Sequence, residues 1–550
     1  MLYMKQFKFL FGFALVILTL CVSFGHLSIP KPNGADSDSY SAERASKYIE
    51  VISQEPHSVE HPVERAKVRK YLYDRLVEMG GEPEIHEFDS IKFRYGGYFD
   101  IGNVYCQFDP ASGPAESYVM LVAHFDSRFR QSKRQKTVYS CGAGDDGYGV
   151  GAVLELLSQS LKYRKEWKQG VKILLTDSEE NHLDGMKCAY EHCRDIFNDV
   201  GFIVNLESRG LDGPALLFET SANNDKVMDL YAEAERPYGY SLTTVVYRFL
   251  PNMTDFTVVK EDVPGINFSS IDDINAYHVD DDNFDNINLN TIQHYGTQIE
   301  PILKEYLTSR EYSDPKALKG SGDNVFFTVP VLGLFNFTKP QFTLFCSVIF
   351  ALFCLALVLN VSARNATLGG VFKKSLALLF WSLVVLGAGE GIAYLSAMVA
   401  GVPFEITDTR FVSFSSIVAN ASFIALIIIY LAIYFKRKKK SKVFNVETLL
   451  AASLLLTIFS VVLYFVIGEN FFFAVPLLLV SLALIFNIFI FLNFLSLPAL
   501  LLIALLGGSF LYALSVALTV GALGLVMFIA FFYIILVVGL FECYMNQKRL

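Results

Sequence analysis

Hydrophobic residues are distributed in two different ways along this chain. Between residues 35 and 312, short apolar runs alternate with stretches in which apolar residues recur at helical spacing. From about residue 340 onward, long apolar runs follow one another with short polar breaks, and several are long enough to cross a bilayer. The pattern therefore predicts a water-soluble α/β domain joined to an α-helical, multi-pass membrane domain.

The first region has the pattern of alternating strands and helices. The predicted strands are 117–125, 171–176, 201–206, 215–219 and 265–269. The predicted helices are 147–163, 184–197 and 289–307. Because parallel sheets are buried on both faces, near-continuous apolar strands between helices indicate an α/β fold with a mixed, largely parallel sheet sandwiched by helices.

Eight apolar runs are candidate membrane spans. The run 9–24 follows two lysines and lacks a small-residue cleavage site, which favours an uncleaved anchor over the alternative of a cleaved signal peptide. The other seven are 341–361, 375–400, 412–435, 448–468, 471–494, 497–517 and 520–541. The predicted division is an anchor with linker (1–34), a soluble domain (35–312), a linker (313–339) and a transmembrane domain (340–550) of about seven helices.

Clusters of Lys and Arg predict the orientation in the membrane. Lys5 and Lys8 place the N-terminus on the cytosolic side, because basic residues favour that side. Eight alternating crossings then bring the basic clusters at 364–374, 436–440 and 548–549 to the same side. The soluble domain is therefore predicted on the non-cytosolic side, in the periplasm, outside the cell or in an organelle lumen.

The charge balance supports this division and excludes several classes of protein. Of the 46 basic and 55 acidic residues, 13 and 6 lie from Val331 onward, so the soluble part is acidic. It has no Lys/Arg-rich face of the kind that binds nucleic acid. A hydrophobic content of 53% excludes a disordered chain, and the eight cysteines form no C-x-x-C motif. The predicted partner is the lipid bilayer and not nucleic acid.

Glu390 is the one acidic residue deep in a predicted span. An ionisable residue inside a membrane usually marks a functional site. The alternative is a carboxyl group that is satisfied within the helix bundle, and the sequence leaves both open.

Polar residues follow the predicted strands at the edge where α/β proteins bind ligands. These residues are His124 and Asp126 after the first strand, Asp145 in a glycine-rich turn, and the pair Glu179-Glu180 after the second strand. Ligands bind beyond the carboxyl ends of the strands in such sheets. Each feature alone is equally well explained as a polar strand end, a helix N-cap or a solvated acidic loop.

Two further blocks complete the set. Asn205-Leu-Glu207 ends the next strand, and Tyr277-His278 precedes the closing helix. A lone histidine in a loop is more often a surface residue than a ligand. Together, however, two histidines and three carboxylates at one edge of a sheet match the ligands that a pair of zinc ions prefers.

The order of these five blocks resembles the co-catalytic zinc aminopeptidases of the aminopeptidase Y and bacterial leucyl aminopeptidase type. That family has His-x-Asp, Gly-x-x-Asp followed by Gly, Glu-Glu, Asn-Leu-Glu or an Asp equivalent, and Tyr-His-Thr-x-x-Asp. All five blocks occur in this order between residues 40 and 310. The layout of the whole chain is similar to that of the vacuolar membrane protease group. The resemblance implies a zinc aminopeptidase-like fold that holds two Zn²⁺.

The resemblance also implies a role for each residue. Glu179 would be the general base, Asp126 would orient His124, and Tyr277 would polarise the scissile carbonyl. The bridging ligand would be Asp145, shared by both ions. The full set of metal ligands would be His124, Asp145, Glu180, Glu207 and His278.

The implied activity is that of a membrane-anchored zinc exopeptidase, an aminopeptidase acting on peptides with a free N-terminus. Two alternatives are a glutaminyl cyclase-like enzyme with a single zinc, and a non-catalytic receptor or transport-associated protein on the same fold. The complete ligand set argues against both. The side-chain preference, the oligomeric state and the role of the membrane domain stay undetermined.

This sequence departs from the family pattern beside the ligands. Asp146 and Tyr148 stand where the family has small residues, Asn181-His182 follows the glutamate pair, and Val279 replaces a common Thr. The ligands themselves are unchanged, so these departures bear on the specificity pocket rather than on catalysis. The resemblance further implies a cis peptide bond between Asp145 and Asp146.

Overall fold

The computed structural model describes residues 2–24, 29–133, 136–248, 252–406, 412, 414–440 and 446–545. The chain forms two compact units. One comprises residues 28–328 and 333–339, and the other comprises residues 1–27, 329–332 and 340–550. The first unit reaches beyond the predicted soluble domain, because part of the predicted linker 313–339 forms a β-hairpin. The basic cluster predicted at 548–549 lies outside the described residues.

The described chain contains eleven β-strands. They are β1 (Glu84–Lys92), β2 (Tyr98–Phe108), β3 (Tyr118–His124), β4 (Gln131–Lys133), β5 (Lys136–Val138), β6 (Gly170–Thr176), β7 (Val200–Ser208), β8 (Asp212–Thr220), β9 (Gly265–Asp272), β10 (Asn324–Val329) and β11 (Gly333–Thr338). Seven of them form one sheet in the order β1-β2-β6-β3-β7-β9-β8. Strands β3, β6, β7 and β9 are parallel, whereas β1, β2 and β8 pair antiparallel. The prediction of a mixed, largely parallel sheet is confirmed.

Helices of the first unit cover both faces of this sheet, and further helices form the second unit. The α-helices of the described chain are α1 (Leu2–Phe24), α2 (Ala42–Ile52), α3 (Pro62–Glu78), α4 (Gly147–Leu161), α5 (Glu179–His182), α6 (Asp184–His192), α7 (Asp225–Tyr231), α8 (Ser241–Tyr247), α9 (Asp255–Val259), α10 (Leu289–Thr308), α11 (Lys339–Ser362), α12 (Leu368–Ala400), α13 (Ser415–Lys440), α14 (Val446–Ile467), α15 (Phe471–Phe486), α16 (Ser496–Leu518) and α17 (Leu523–Met545).

Alternate residues of β3 point into two hydrophobic cores. Val119 and Leu121 pack with α2, α4 and α10 on one face, whereas Met120 and Val122 pack with α6 and α9 on the other. Successive side chains of a strand point to opposite faces, so a strand that is apolar throughout must be covered twice. This burial fixes the carboxyl ends of the parallel strands at one edge.

Burial of His294 in α10 makes the stability of the soluble unit depend on pH. Its Nδ1 accepts a hydrogen bond from the amide of Ala215 (3.1 Å), and its Nε2 donates to the carbonyl of Arg236 (3.0 Å). Burial lowers the pKa of His294 from an ordinary 6.5 to about 4. The neutral form is therefore favoured in the folded state.

We expect His294 to lower the free energy of unfolding as the pH falls from 6.5 towards 4. The unfolded chain binds a proton in this range and the folded chain does not, which costs about 2 kcal/mol at pH 5. Chemical denaturation at pH 7 and pH 5 measures the difference. The variant His294→Gln should show a smaller loss between the two pH values, and an equal loss would contradict the assignment.

The second unit is built from long apolar helices. Seven helices in the described part of the chain are long and apolar enough to cross a membrane, judged by length and composition: Gln6–Ser23, Lys339–Ser362, Leu368–Ala400, Ser415–Arg437, Val446–Ile467, Leu492–Leu518 and Val520–Met545. The predicted span 471–494 instead consists of the shorter helix α15 and a 3-10 segment at Ile490–Leu495. The described C-terminal part contains the seven helices α11–α17, and the number that crosses a membrane stays a prediction. Their orientation stays a prediction.

Glu390 lies where α12 and α17 cross closely. A Cβ atom built on Gly389 would lie 2.5 Å from the Cα of Gly524, so the two backbones are nearly in contact. One carboxylate oxygen of Glu390 faces the backbone amides of Gly524 and Leu525 in the first turn of α17, whereas its Oε2 is buried without a hydrogen-bond partner in the described structure. The first amides of a helix have no partner within the helix, so this carboxylate caps α17. One oxygen of Glu390 is thus satisfied within the bundle and the other is not, so the two interpretations of this residue both stay open.

The close crossing predicts which glycines of α12 tolerate a methyl group. We expect Gly389→Ala to destabilise the purified protein by about 1–3 kcal/mol, because an added Cβ meets the backbone of α17. Gly391→Ala is the matched control, since a Cβ at Gly391 meets nothing within 4 Å. Thermal unfolding in detergent should show a lower Tm for the first variant only. Equal Tm values would refute the crossing.

Candidate metal centre

Three parallel strands deliver polar side chains to one place. His124 ends β3 opposite Thr176 at the end of β6, and Glu207 lies near the end of the neighbouring strand β7. Glu179 and Glu180 open the short helix α5 directly after β6. Because these strands run in parallel, their carboxyl ends meet at the same edge of the sheet.

Asp145 lies between the two histidines. Its Oδ1 is 3.1 Å from Nε2 of His124, and its Oδ2 is 3.1 Å from Nε2 of His278. Oε1 of Glu180 is 3.0 Å from the same His278 nitrogen, and Oε2 of Glu207 is 3.7 Å from Nε2 of His124. The two oxygens of one carboxylate therefore face two separate groups of ligand-type side chains.

The structure brings together all five residues that the sequence proposes as metal ligands, and it adds Asp146. One group is His124, Asp146 and Glu207, and the other is Asp145, Glu180 and His278. Within each group the ligand atoms lie within 4.8 Å of one another. The sequence prediction placed Asp145 in both groups. Its short contact to His124 supports that sharing, whereas Asp146 also has a structural task.

That task is the N-cap of α4. Oδ1 of Asp146 accepts a hydrogen bond from the amide of Gly149 (3.1 Å), while its Oδ2 is buried without a hydrogen-bond partner in the described structure. The peptide bond between Asp145 and Asp146 is cis, as the family resemblance implies. Sequence reasoning missed Asp146 because it looks like a departure from the small residues expected there.

The donor set fits a cation. Asp145, Asp146, Glu179, Glu180 and Glu207 are all buried at this edge. Burial and mutual repulsion raise the pKa values of three of them well above the ordinary carboxyl range, namely Asp146, Glu179 and Glu207. Buried carboxylates of like charge need a cation or protons between them. Atoms without a hydrogen-bond partner in the described structure, Oδ2 of Asp145, Oε1 of Glu180 and Nε2 of His278, face this space.

The pKa values of Glu180 and His124 are each shifted in the direction opposite to the one that burial alone would cause. Burial would raise the pKa of Glu180, but His278 and Arg128 outweigh it and hold the pKa well below its ordinary value. Burial would lower the pKa of His124, but hydrogen bonds to Asp126 and Asp145 raise it well above the ordinary value. Both shifts arise because carboxylates and cationic groups lie close together at this buried edge.

Asp126 connects His124 to the glutamate pair. Its Oδ1 accepts the amide N–H of Glu179 (2.9 Å), and its Oδ2 accepts that of Glu180 (3.4 Å). Nδ1 of His124 donates to the backbone carbonyl of Asp126 (3.0 Å), with the carboxylate Oδ1 at 3.4 Å. Since Nδ1 donates, Nε2 is left free to bind a metal.

Asp282 holds the loop that carries Asp145. Its Oδ1 accepts the amide of Gly144 (2.6 Å), and its Oδ2 accepts the amide of Asp145 (3.4 Å) and the hydroxyl of Ser140 (2.7 Å). Burial, followed by the charge of Asp145, raises the pKa of Asp282 to about 7. Sequence reasoning did not single out Asp282, although its position in the last motif block was a usable signal.

Two tyrosines lie at the same edge. The ring of Tyr277 stacks on His278 with 3.5 Å between ring centroids. Tyr247, which sequence reasoning missed, ends α8 with a buried hydroxyl that has no hydrogen-bond partner in the described structure. Burial raises the pKa of Tyr247 well above 10, and the charges of Glu219, Glu207 and Glu179 add to this.

Residues 103–302 match the family model of peptidase family M28. Endoplasmic reticulum metallopeptidase 1 of Mus musculus is 29% identical over 260 residues, covering 46% of this chain and 27% of that protein. The vacuolar membrane protease of Paracoccidioides lutzii is 24% identical over 376 residues, covering 62% of this chain and 36% of that protein. The chain thus spans about a third of the length of these curated relatives.

Two solved structures are also similar. A Zn-dependent exopeptidase from Parabacteroides distasonis has a TM-score of 0.38 and 18% identity, with 48% of this chain and 98% of that chain covered. Porphyromonas gingivalis glutaminyl cyclase has a TM-score of 0.40 and 17% identity, with 49% and 100% covered.

The family match and the site coincide. Every proposed ligand, from His124 to His278, lies inside the matched range. The resemblance to zinc aminopeptidases and to vacuolar membrane proteases is confirmed, and the apolar helices together with the membrane-protease relatives support a membrane protein. Residues 103–302 of this chain therefore resemble a peptidase family M28 domain.

Proposed function

We propose that this chain is a membrane-anchored zinc metallopeptidase, and specifically an aminopeptidase. The observation that carries the proposal is the buried edge of the M28 domain, where Asp145 faces two histidines through its two oxygens. Glu179 lies at the same edge but in neither ligand group. A set of ligands with one further carboxylate is what metal-assisted hydrolysis requires.

Two zinc ions would be held by the residues already described. His124, Glu207 and Asp145 would bind one ion, and Asp145, Glu180 and His278 would bind the other. Asp146 is a further oxygen donor for the first ion. When bound, the ions supply Lewis acidity, which polarises a carbonyl group and makes water a stronger acid.

Glu179 would act as the general base of the reaction. Burial raises its pKa, which moves it towards the range in which a carboxylate can take a proton from water and return it to the leaving amine. Asp126 fixes the backbone of Glu179 and thereby its position. Tyr277, held against His278, would donate a hydrogen bond to the scissile carbonyl.

The substrate would be a peptide with a free N-terminus, bound on the non-cytosolic side of the membrane. The excess of acidic residues before Val331 favours the approach of a cationic amino terminus, although salt screens this attraction beyond about 8 Å. The basic clusters of the C-terminal part support the orientation.

The test is metal analysis and hydrolysis with the full-length protein purified in detergent. We expect two zinc ions per chain, and cleavage of leucyl peptides that stops when the N-terminus is acetylated. A single zinc with cyclisation of N-terminal glutamine would favour the glutaminyl cyclase alternative. Zinc binding without any turnover would favour a non-catalytic protein.

A further inference from the structure

The tip of the β1–β2 hairpin carries an unpaired cation close to the metal-ligand groups. Arg94 is exposed, and no Asp or Glu of the described chain lies within ion-pairing distance of its guanidinium group. Gly96 and Gly97 have positive φ values in the turn that follows. The turn is closed by a hydrogen bond from the amide of Phe93 to the carbonyl of Gly97 (3.0 Å).

Asn181 fastens this tip to the helix that bears the glutamate pair. Its Oδ1 accepts the amide N–H of Arg94 (3.1 Å), and its Nδ2 donates to the carbonyl of Lys92 (2.9 Å). Asn181 is fully buried and directly follows Glu180. The position of Arg94 is therefore set by the same short helix that holds Glu179 and Glu180.

A second arginine lies beside the first. The guanidinium group of Arg128 donates to Oε2 of Glu180 (2.5 Å) and lies 4.1 Å from the ring centroid of Phe129. The guanidinium group of Arg94 lies 5.2 Å from the same centroid. Nε of Arg128 is buried without a hydrogen-bond partner in the described structure. One aromatic ring thus supports two cations next to a metal ligand.

The polar groups near Arg94 are a histidine and acids that have other partners. Nδ1 of His182 lies 3.3 Å from Nη2 of Arg94. The nearby acids are engaged elsewhere, since Glu180 binds Arg128 and His278, and Asp184 binds Ser178 and Asn181.

We propose that Arg94 and Arg128 form a carboxylate-binding subsite beside the metal centre, which recognises a carboxylate of the substrate close to the scissile bond. Planar guanidinium groups bind carboxylates through paired N–H donors. The carboxylate would be the C-terminus of a dipeptide or the acidic side chain of the second residue. Asn181 and His182, both departures from the family pattern, hold Arg94 in this place. The inference rests on the proposed peptidase function.

The test separates binding from turnover. The full-length zinc-loaded protein carrying Glu179→Gln is titrated by calorimetry with two matched pairs, Leu-Gly against its amide, and Leu-Glu-amide against Leu-Gln-amide. We expect at least one carboxylate member to bind about 10-fold tighter or more, because a hydrogen bond to a charged group has this magnitude. The pair that shows the preference identifies the source of the carboxylate.

Substitutions then locate the preference. Arg94→Gln should abolish it, and Arg94→Lys should retain part of it. Arg194→Gln is the control, because Arg194 is an exposed arginine paired with Asp262 on the same unit. Asn181→Ala should weaken the preference like Arg94→Gln, since it releases the hairpin tip.

The outcomes distinguish this subsite from the proposed function. Equal affinities within both pairs, or a preference that survives Arg94→Gln, would overturn the subsite even if the wild-type protein hydrolyses peptides. A preference that depends on Arg94 in a protein that hydrolyses no peptide would support the subsite and reject the aminopeptidase activity.

Discussion

Replacing Glu179 with Gln should reduce kcat by roughly 10²–10⁴-fold, which is the usual contribution of general acid–base catalysis. The amide is nearly isosteric with the carboxylate but cannot accept a proton from water. Zinc content should stay at the wild-type value, because Glu179 belongs to neither ligand group. The measurement is kcat on a leucyl peptide beside zinc stoichiometry for the same preparation.

Glu180→Gln is the matched contrast for this experiment. Glu180 contacts His278 and lies in a ligand group, so its variant should lose metal as well as activity. Glu261→Gln, at an exposed position, should change neither quantity. A Glu179→Gln protein that lacks one zinc, or that keeps near-normal kcat, would show that the two glutamates have other roles.

Asp145→Asn should have the second large effect, a loss of affinity for both metal ions. Its two oxygens face His124 and His278, and an amide presents only one oxygen and no charge. Activity should fall by roughly 10³-fold or more, since metal ions contribute several kcal/mol to such reactions. Zinc titration of the purified variant measures the affinities.

Two further variants, Asp146→Asn and Asp285→Asn, are measured beside Asp145→Asn. The first tests whether Asp146 is a ligand of one site only, in which case a single zinc is weakened. The second changes an exposed carboxylate on the same unit and should bind zinc normally. If Asp145→Asn weakens a single site, the carboxylate is not shared between the ions.

The centre of the sheet could be predicted because its strands obey one simple rule. Strands β3, β6, β7 and β9 are buried on both faces and therefore appear as uninterrupted apolar runs. The edge strand β1 could not be found in this way. It is largely exposed, and a register shift between Phe88 and Ile91 breaks its alternation of polar and apolar residues.

Some residues of the candidate site could likewise be predicted from the sequence, and others could not. The residues at strand ends, such as His124 and Glu207, converge because parallel strands share an edge, so their proximity follows from the sequence pattern. The role of Arg94 could not be found from its neighbours in the sequence, and that of Asp282 was signalled only by its place in the last motif block. Their importance arises from contacts with segments far away in the chain, through Asn181 for Arg94 and through Gly144 for Asp282.

The hydrogen bonds of Asp126 limit how the candidate site can vary. One residue receives hydrogen bonds from the backbone of both glutamates and from the ring of His124, so Asp126 joins the proposed base to a proposed metal ligand. Their separation is set by main-chain geometry rather than by the rotamers of long side chains. Substitutions in the surrounding pocket should therefore leave the spacing between Glu179 and His124 unchanged.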